Sequence, residues 1–329
     1  MRDTPIEATI DFDADGIQHG FLKLPHSHDE SAWGALMIPI TVARRGDGPT
    51  ALLTGANHGD EYEGPVALMN LARSIPLHAI NGRVIIIPMM NYPAFLAGRR
   101  TSPIDKGNMN RAFPGAPDGT VTPKIADYFQ RTLLPFSDVV LDIHAGGRTL
   151  DFIPFAAAHV LDDPDHQARC VDAMQAFNAP YSMILKELDA VGMYDTAAED
   201  MGKVFVSTEL GGGGSVTARS AAIAMRGVDN FLKHAGILEG TVDTGPTVNL
   251  DTTGEGCFIT CESRGLLEMC MDLGAPVKEG DLIARVHDVH RTGGTPDEYR
   301  AQTSGILAGR HFPGLVDMGD FLGVVGTLE

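Results

Sequence analysis

Up to Gly236, short apolar runs alternate with segments of helical periodicity; after it they do not. The runs MIPITVA and ALLTG flank the polar turn RRGDGP, and VIIIPMM begins at Val84, which predicts three strands. Between them GPVALMNLARSI, from Gly64 to Ile75, spaces apolar residues three and four apart and carries Pro65 where a first helical turn tolerates it. The alternation continues with a predicted helix near Thr122–Leu134, the strand DVVLDIH ending at His144, a helix around Asp165–Phe177, the strand KVFVSTEL ending near Glu209, and a long helix closing at Gly236. Such a pattern predicts an α/β unit whose sheet is largely parallel. Beyond it, CFIT, GLLEMCM, DLIARV, GILAG and FLGVV are short apolar runs separated by Gly and Asp turns, predicting an all-β unit of roughly 80 residues. The expected division is a catalytic unit with an N-terminal β extension over residues 1–242 and a β unit over 243–329.

Composition narrows the partners. A chain of 329 residues that is 43% hydrophobic can bury a large core, which excludes disorder. Its formal charge of −18, with no Lys/Arg-rich run, would repel nucleic acids and anionic membranes, so neither is an expected partner. Cys170, Cys257, Cys261 and Cys270 lack the C-x-x-C spacing of a structural zinc site and are expected as reduced thiols. No window approaches the roughly 18–20 apolar residues that span a bilayer, and the expected location is cytoplasmic. A homo-oligomer is left open.

Chemistry concentrates at strand ends. In TGANHGDEYEG, His58 and Glu61 stand three apart after a strand and before a helix. Chance supplies such a pair in about half of all chains of this composition, so the spacing alone is weak. Its place is stronger, because open α/β sheets bind ligands at the carboxyl ends of their strands. His144 ends another apolar strand before two glycines, and Glu209 ends a third before GGGG. An isolated strand-end histidine is more often a packed residue than a ligand; three such ends together are not easily dismissed. Two imidazoles and a carboxylate suffice for a catalytic zinc that keeps an open position, and a further glutamate can serve as general base. In GNMNRAFPG, Arg111 offers a two-pronged grip on a carboxylate, with Asn110 beside it.

HGDE (58–61), NMNRAFPG (108–115), LDIH (141–144) and STELG (207–211), in that order, resemble the succinylglutamate desuccinylase/aspartoacylase family, relatives of zinc carboxypeptidases. The resemblance covers nearly the whole chain and implies a carboxypeptidase-like mixed sheet flanked by helices, followed by a C-terminal β domain. It implies Zn2+ held by His58, Glu61 and His144, Glu209 as catalytic base, and Asn110 with Arg111 as a clamp on the substrate carboxylate. Within the family, SAWGALMIPITV, GANHGDEYEGP and RRTSPIDKGNMNRAFPG are most similar to members that remove an acetyl group from the α-nitrogen of 2,4-diaminobutyrate in ectoine degradation. Another N-acyl amino acid amidohydrolase, or a binding module that kept the fold without catalysis, are the alternatives.

One element departs from the family pattern. Aspartoacylases carry an arginine shortly before the Asn-Arg pair to polarise the acyl carbonyl, whereas Ser102 and Pro103 stand here; Arg99 or Arg100 is expected to substitute, with Arg100 favoured. A diamino acid substrate also calls for an acidic partner, for which Asp105, Glu63 and Glu268 are the unranked candidates. The C-terminal stretches APVKEGDLIARV, SGILAG and VDMGDFLGVV resemble a biotinyl/lipoyl-type barrel. The stretch HDVHRTGG at the corresponding hairpin lacks the carrier lysine, so a structural role is expected, with His287 and His290 on the surface.

Overall fold

The computed structural model describes residues 3–186 and 189–328. In chain order come β1 (Glu7–Ala8), β2 (Gly16–Pro25), β3 (Ala35–Arg45), β4 (Thr50–Gly55), α1 (Glu63–Ser74), β5 (Gly82–Ile87) and α2 (Tyr92–Ala97). Then follow α3 (Val121–Tyr128), a π-helical turn (Phe129–Leu133), α4 (Leu134–Phe136), β6 (Val139–His144), β7 (Leu150–Phe152), β8 (Phe155–His159), α5 (Pro164–Phe177) and β9 (Tyr181–Leu185). After α6 (Tyr194–Glu199), β10 (Val204–Glu209) and α7 (Ala218–His234), the rest is β: β11 (Val248–Asp251), β12 (Phe258–Thr260), β13 (Gly265–Met269), β14 (Pro276–Val277) and β15 (Leu282–His287). The last four are β16 (Asp297–Arg300), β17 (Gly305–His311), β18 (Leu315–Val316) and β19 (Phe321–Leu328).

The sheet is mixed, and the expectation of a largely parallel one holds only for its centre. Its path is β1-β2-β3-β5-β4-β6-β10-β8-β9-β11-β19-β17-β14. Strands β5, β4, β6 and β10 are mutually parallel, as are β8, β9 and β11, while β10 meets β8 antiparallel and β1, β2, β3 and β5 form an antiparallel edge. Burial explains the difference. Every residue of β4 is buried, as expected for a parallel strand covered on both faces, whereas β2 alternates between exposed and covered positions. Period-two alternation also sorts the core: Leu53, Ile86, Leu141 and Val206 pack with Leu68, Phe177 and Phe231, and Leu52, Ile85, Val140 and Phe205 pack on the other face with Ile125, Phe129 and Tyr194.

Capping sets the helix bounds. Asp163 accepts from the backbone N–H groups of Asp165 and His166 to start α5, and Asn178 closes it in the left-handed conformation. Thr217 and Ser220 form a reciprocal cap that starts α7 at Ala218. No helix among the described residues is long and apolar enough to cross a membrane.

The C-terminal strands do not stand apart from the main sheet. β11 lies parallel to β9 and antiparallel to β19, and β17 pairs with β7. A second, four-stranded antiparallel sheet, β16-β15-β13-β18, packs over them around Ile259, Val277, Ile283, Leu307, Leu322 and Val325. β7 immediately follows the β6 end that carries His144, so the β unit is stitched on close to the candidate site.

Close backbone approach holds the β4–α1 loop. A Cβ on Gly59 would lie 2.0 Å from the carbonyl carbon of Ala94 in α2, and one on Gly64 would lie 2.9 Å from the Ile143 carbonyl oxygen. Gly59→Ala is therefore expected to destabilise the fold by about 1–3 kcal/mol, the usual range for overpacking. Thermal melting checks this; an unchanged Tm would contradict the packing.

Candidate active site

Three neighbouring strands deliver the polar residues to one place. The loop after β4 carries His58 and Glu61, β6 ends on His144, and β10 ends on Glu209, which pairs in register with His144. His58 Nδ1 lies 2.7 Å from Glu61 Oε1, and His144 Nδ1 lies 2.9 Å from Glu61 Oε2. One ligand atom from each of the three residues falls within 4.8 Å of the others. His144 is in turn oriented by Asp142, whose Oδ2 is 2.7 Å from its Nε2. Asp142 accepts hydrogen bonds from the Thr54 hydroxyl (2.7 Å) and the Asn57 amide (2.9 Å).

The donor set fits a metal ion. Two imidazole nitrogens address opposite oxygens of one buried carboxylate, and the far nitrogen of His144 is fixed by a second carboxylate, the arrangement that presents Nδ1 as a ligand. Asp142 and His144 are two apart on a strand and so share a face, a pairing signalled by the spacing in LDIH.

Electrostatics follow from burial and proximity. Burial opposes the charge on Glu61, but His58 and His144 outweigh it and hold its carboxyl below the usual range. Burial likewise opposes His144's charge, yet Asp142 and Glu61 push it well above the ordinary imidazole value; burial dominates at His58 and lowers it. Glu209 goes the other way. Burial, reinforced by the Glu61 charge, pushes it up to about 8, and its Oε2 is buried with no hydrogen-bond partner among the described residues.

A cavity of about 220 Å³ opens over these residues and is also lined by Arg100, Asn110 and Arg111. Both Arg99 and Arg100 are exposed, but Arg100 lines the cavity with Nη1 3.9 Å from Glu61 Oε1, whereas Arg99 does not line it. Arg111 donates from Nη1 to the Asn110 carbonyl at 2.6 Å. Asn110 is itself anchored, its Oδ1 accepting the Tyr194 N–H at 2.9 Å.

The structure brings none of the three acidic candidates into this cleft. Asp105 accepts from the Thr122 N–H (2.7 Å) and hydroxyl (2.8 Å) at the start of α3. Glu63 is buried against Ser220 (3.0 Å) and lines a separate cavity beside Gly211. Glu268 belongs to the four-stranded sheet, 2.7 Å from His287 Nε2. His287 and His290 lie in that same region, away from the cleft. Among the described residues, the acidic residue that lines the cleft besides Glu61 and Glu209 is Asp195, in the first turn of α6, which carried no sequence motif.

A mixed sheet with a His-Glu-His trio that could hold a metal ion and a buried glutamate at or just after its strand ends, and with Arg100 and Arg111 reaching the same cleft from turns, is a frame suited to an amidohydrolase. Residues 47–235 match the family model for the succinylglutamate desuccinylase/aspartoacylase catalytic domain, and the chain belongs to that family. Among its relatives is the N-alpha-acetyl-L-2,4-diaminobutyric acid deacetylase of Halomonas elongata, 59% identical over 100% of this chain and 96% of the relative. The product-bound structure of the ectoine utilization protein EutE (DoeB) from Ruegeria pomeroyi superposes with a TM-score of 0.97 at 62% identity, covering 99% of this chain and 100% of that one. A succinylglutamate desuccinylase/aspartoacylase from Rhodobacter sphaeroides matches with a TM-score of 0.94 at 36% identity over 99% of both chains.

Proposed function

We propose that this chain is a zinc-dependent deacetylase that hydrolyses Nα-acetyl-L-2,4-diaminobutyrate to acetate and L-2,4-diaminobutyrate. The observation that carries the reading is the convergence of two imidazole Nδ1 atoms on the two oxygens of Glu61, with Glu209 on the adjacent strand, in a chain 59% identical to a deacetylase of this substrate. His58, Glu61 and His144 would hold zinc, which supplies a Lewis acid for the acetyl oxygen and makes water more acidic.

The chain's own residues do the rest. Glu209 takes the proton of the attacking water and delivers it to the leaving nitrogen as the acyl C–N bond breaks, so water oxygen ends on acetate and its proton on the amine. Asp142 holds the Nε2–H of His144 and so keeps Nδ1 directed at Glu61. Arg100 stands beside the trio, where its charge favours the acyl oxygen as negative charge develops. Arg111, with Asn110 securing its turn, grips the α-carboxylate.

Arg111→Lys is expected to lower kcat/KM about ten- to a hundredfold, roughly 1.4–2.8 kcal/mol, because an ammonium cannot reproduce the planar fork. Steady-state kinetics check this, and equal hydrolysis of the α-carboxamide analogue by the unchanged protein would remove Arg111 from that role. The function itself is tested by product analysis on Nα-acetyl- and Nγ-acetyl-2,4-diaminobutyrate, N-acetylaspartate and N-succinylglutamate. Release of acetate and diaminobutyrate from the Nα isomer is expected; preference for either dicarboxylic substrate would contradict the assignment.

A further inference from the structure

The geometry points to Asp195 as the residue that pairs with the side-chain ammonium of the substrate and thereby selects cationic over neutral and acidic side chains, an inference that rests on the proposed deacetylation of an acylated diamino acid. Among the described residues three carboxylates line the cleft. Glu61 lies between the two imidazoles, and Glu209 stands beside His144 as the proposed base. Of these three described carboxylates, Asp195 is the one the proposed mechanism does not use.

Asp195 is 6% exposed. Its Oδ1 accepts the Thr196 N–H at 2.5 Å and the Thr196 hydroxyl at 3.2 Å. Among the described residues no lysine or arginine forms an ion pair with it, and the neighbouring imidazole, His159, has its Nδ1 2.8 Å from Glu199 Oε1. A buried carboxylate whose hydrogen bonds come only from a neutral N–H and a hydroxyl, with the nearby His159 charge offsetting its burial only in part, is incompletely compensated, and a cation entering the cleft would correct that. Burial accordingly raises its pKa, with His159 opposing in part.

Its position suits a second recognition point. The Tyr194 N–H is bonded to Asn110 Oδ1, and the Phe113 N–H donates to the Gly192 carbonyl at 3.1 Å, so the segment carrying Asp195 is tied to the turn carrying Arg111. Arg111 and Asp195 therefore line one cleft from joined pieces of backbone, with opposite charge. Met193, Leu185 and Phe155 supply apolar wall for a methylene stem. A substrate with a side-chain carboxylate would meet Asp195 with like charge, which disfavours it even where Arg111 is satisfied.

The test is the ratio of kcat/KM for Nα-acetyl-L-2,4-diaminobutyrate over Nα-acetyl-L-norvaline, in which a methyl group replaces the ammonium. Asp195→Asn is expected to reduce that ratio about ten- to a hundredfold, mainly through KM on the cationic substrate, as for loss of a charge-assisted hydrogen bond. If the Asn variant does not fold, Asp195→Ser, whose hydroxyl can still accept from Thr196, is read the same way. An unchanged ratio, or an equal loss on both substrates, overturns the role of Asp195 while leaving the deacetylase reading standing. Wild-type protein that hydrolyses no Nα-acetyl-diaminobutyrate overturns both.

Discussion

Replacing Glu209 with glutamine is expected to lower kcat by at least ~10²-fold, the lower end of what general base catalysis supplies, with metal content and KM near those of the wild type. Glu209 is not one of the three residues whose ligand atoms converge, yet it is the in-register neighbour of His144 at the strand end. Its Oε2 is buried with no hydrogen-bond partner among the described residues, and burial with repulsion from Glu61 shifts its pKa upward, which makes the carboxylate a stronger base than an exposed one. Glutamine preserves shape and packing but cannot accept a proton. Three outcomes separate three roles. Full metal with collapsed turnover marks the base; released metal marks a ligand; a lowered Tm with kcat retained by the folded fraction marks a structural residue.

Much of this site is visible in strand ends, for a simple reason. A parallel strand buried on both faces is apolar throughout, so a polar residue at its carboxyl end stands out, as His144 and Glu209 do after VVLDI and VFVST. The same logic fails at positions set by tertiary contacts. Asp195 sits in a six-residue helix with no motif, and long-range hydrogen bonds such as Tyr194–Asn110, between residues 84 apart in sequence, bring it to the cleft. Glu63 is attractive in sequence because it follows Glu61, but a helix turns its side chain toward Ser220 on α7. The antiparallel edge is readable from the alternation in GIQHGFLKLP, which the expectation of a largely parallel sheet does not place. The attachment of β11, β17 and β19 to the main sheet could not be read at all, since strand pairing across such separations leaves no local trace.

Removing the metal should abolish activity, because His58, Glu61 and His144 would be left paired to one another with nothing to polarise the acyl group. Asp142 makes the prediction sharper: by holding Nε2 of His144 it leaves the trio preformed, so restoration should need no refolding. The most direct measurement is a titration of chelator-stripped protein with zinc, following metal content and deacetylation of Nα-acetyl-L-2,4-diaminobutyrate on the same samples, for the wild type and for His58→Ala. The account predicts background activity before zinc, linear recovery that levels off at about one equivalent per chain, and no recovery at that ratio in His58→Ala; full activity in the stripped protein, or full recovery in the variant, would contradict it.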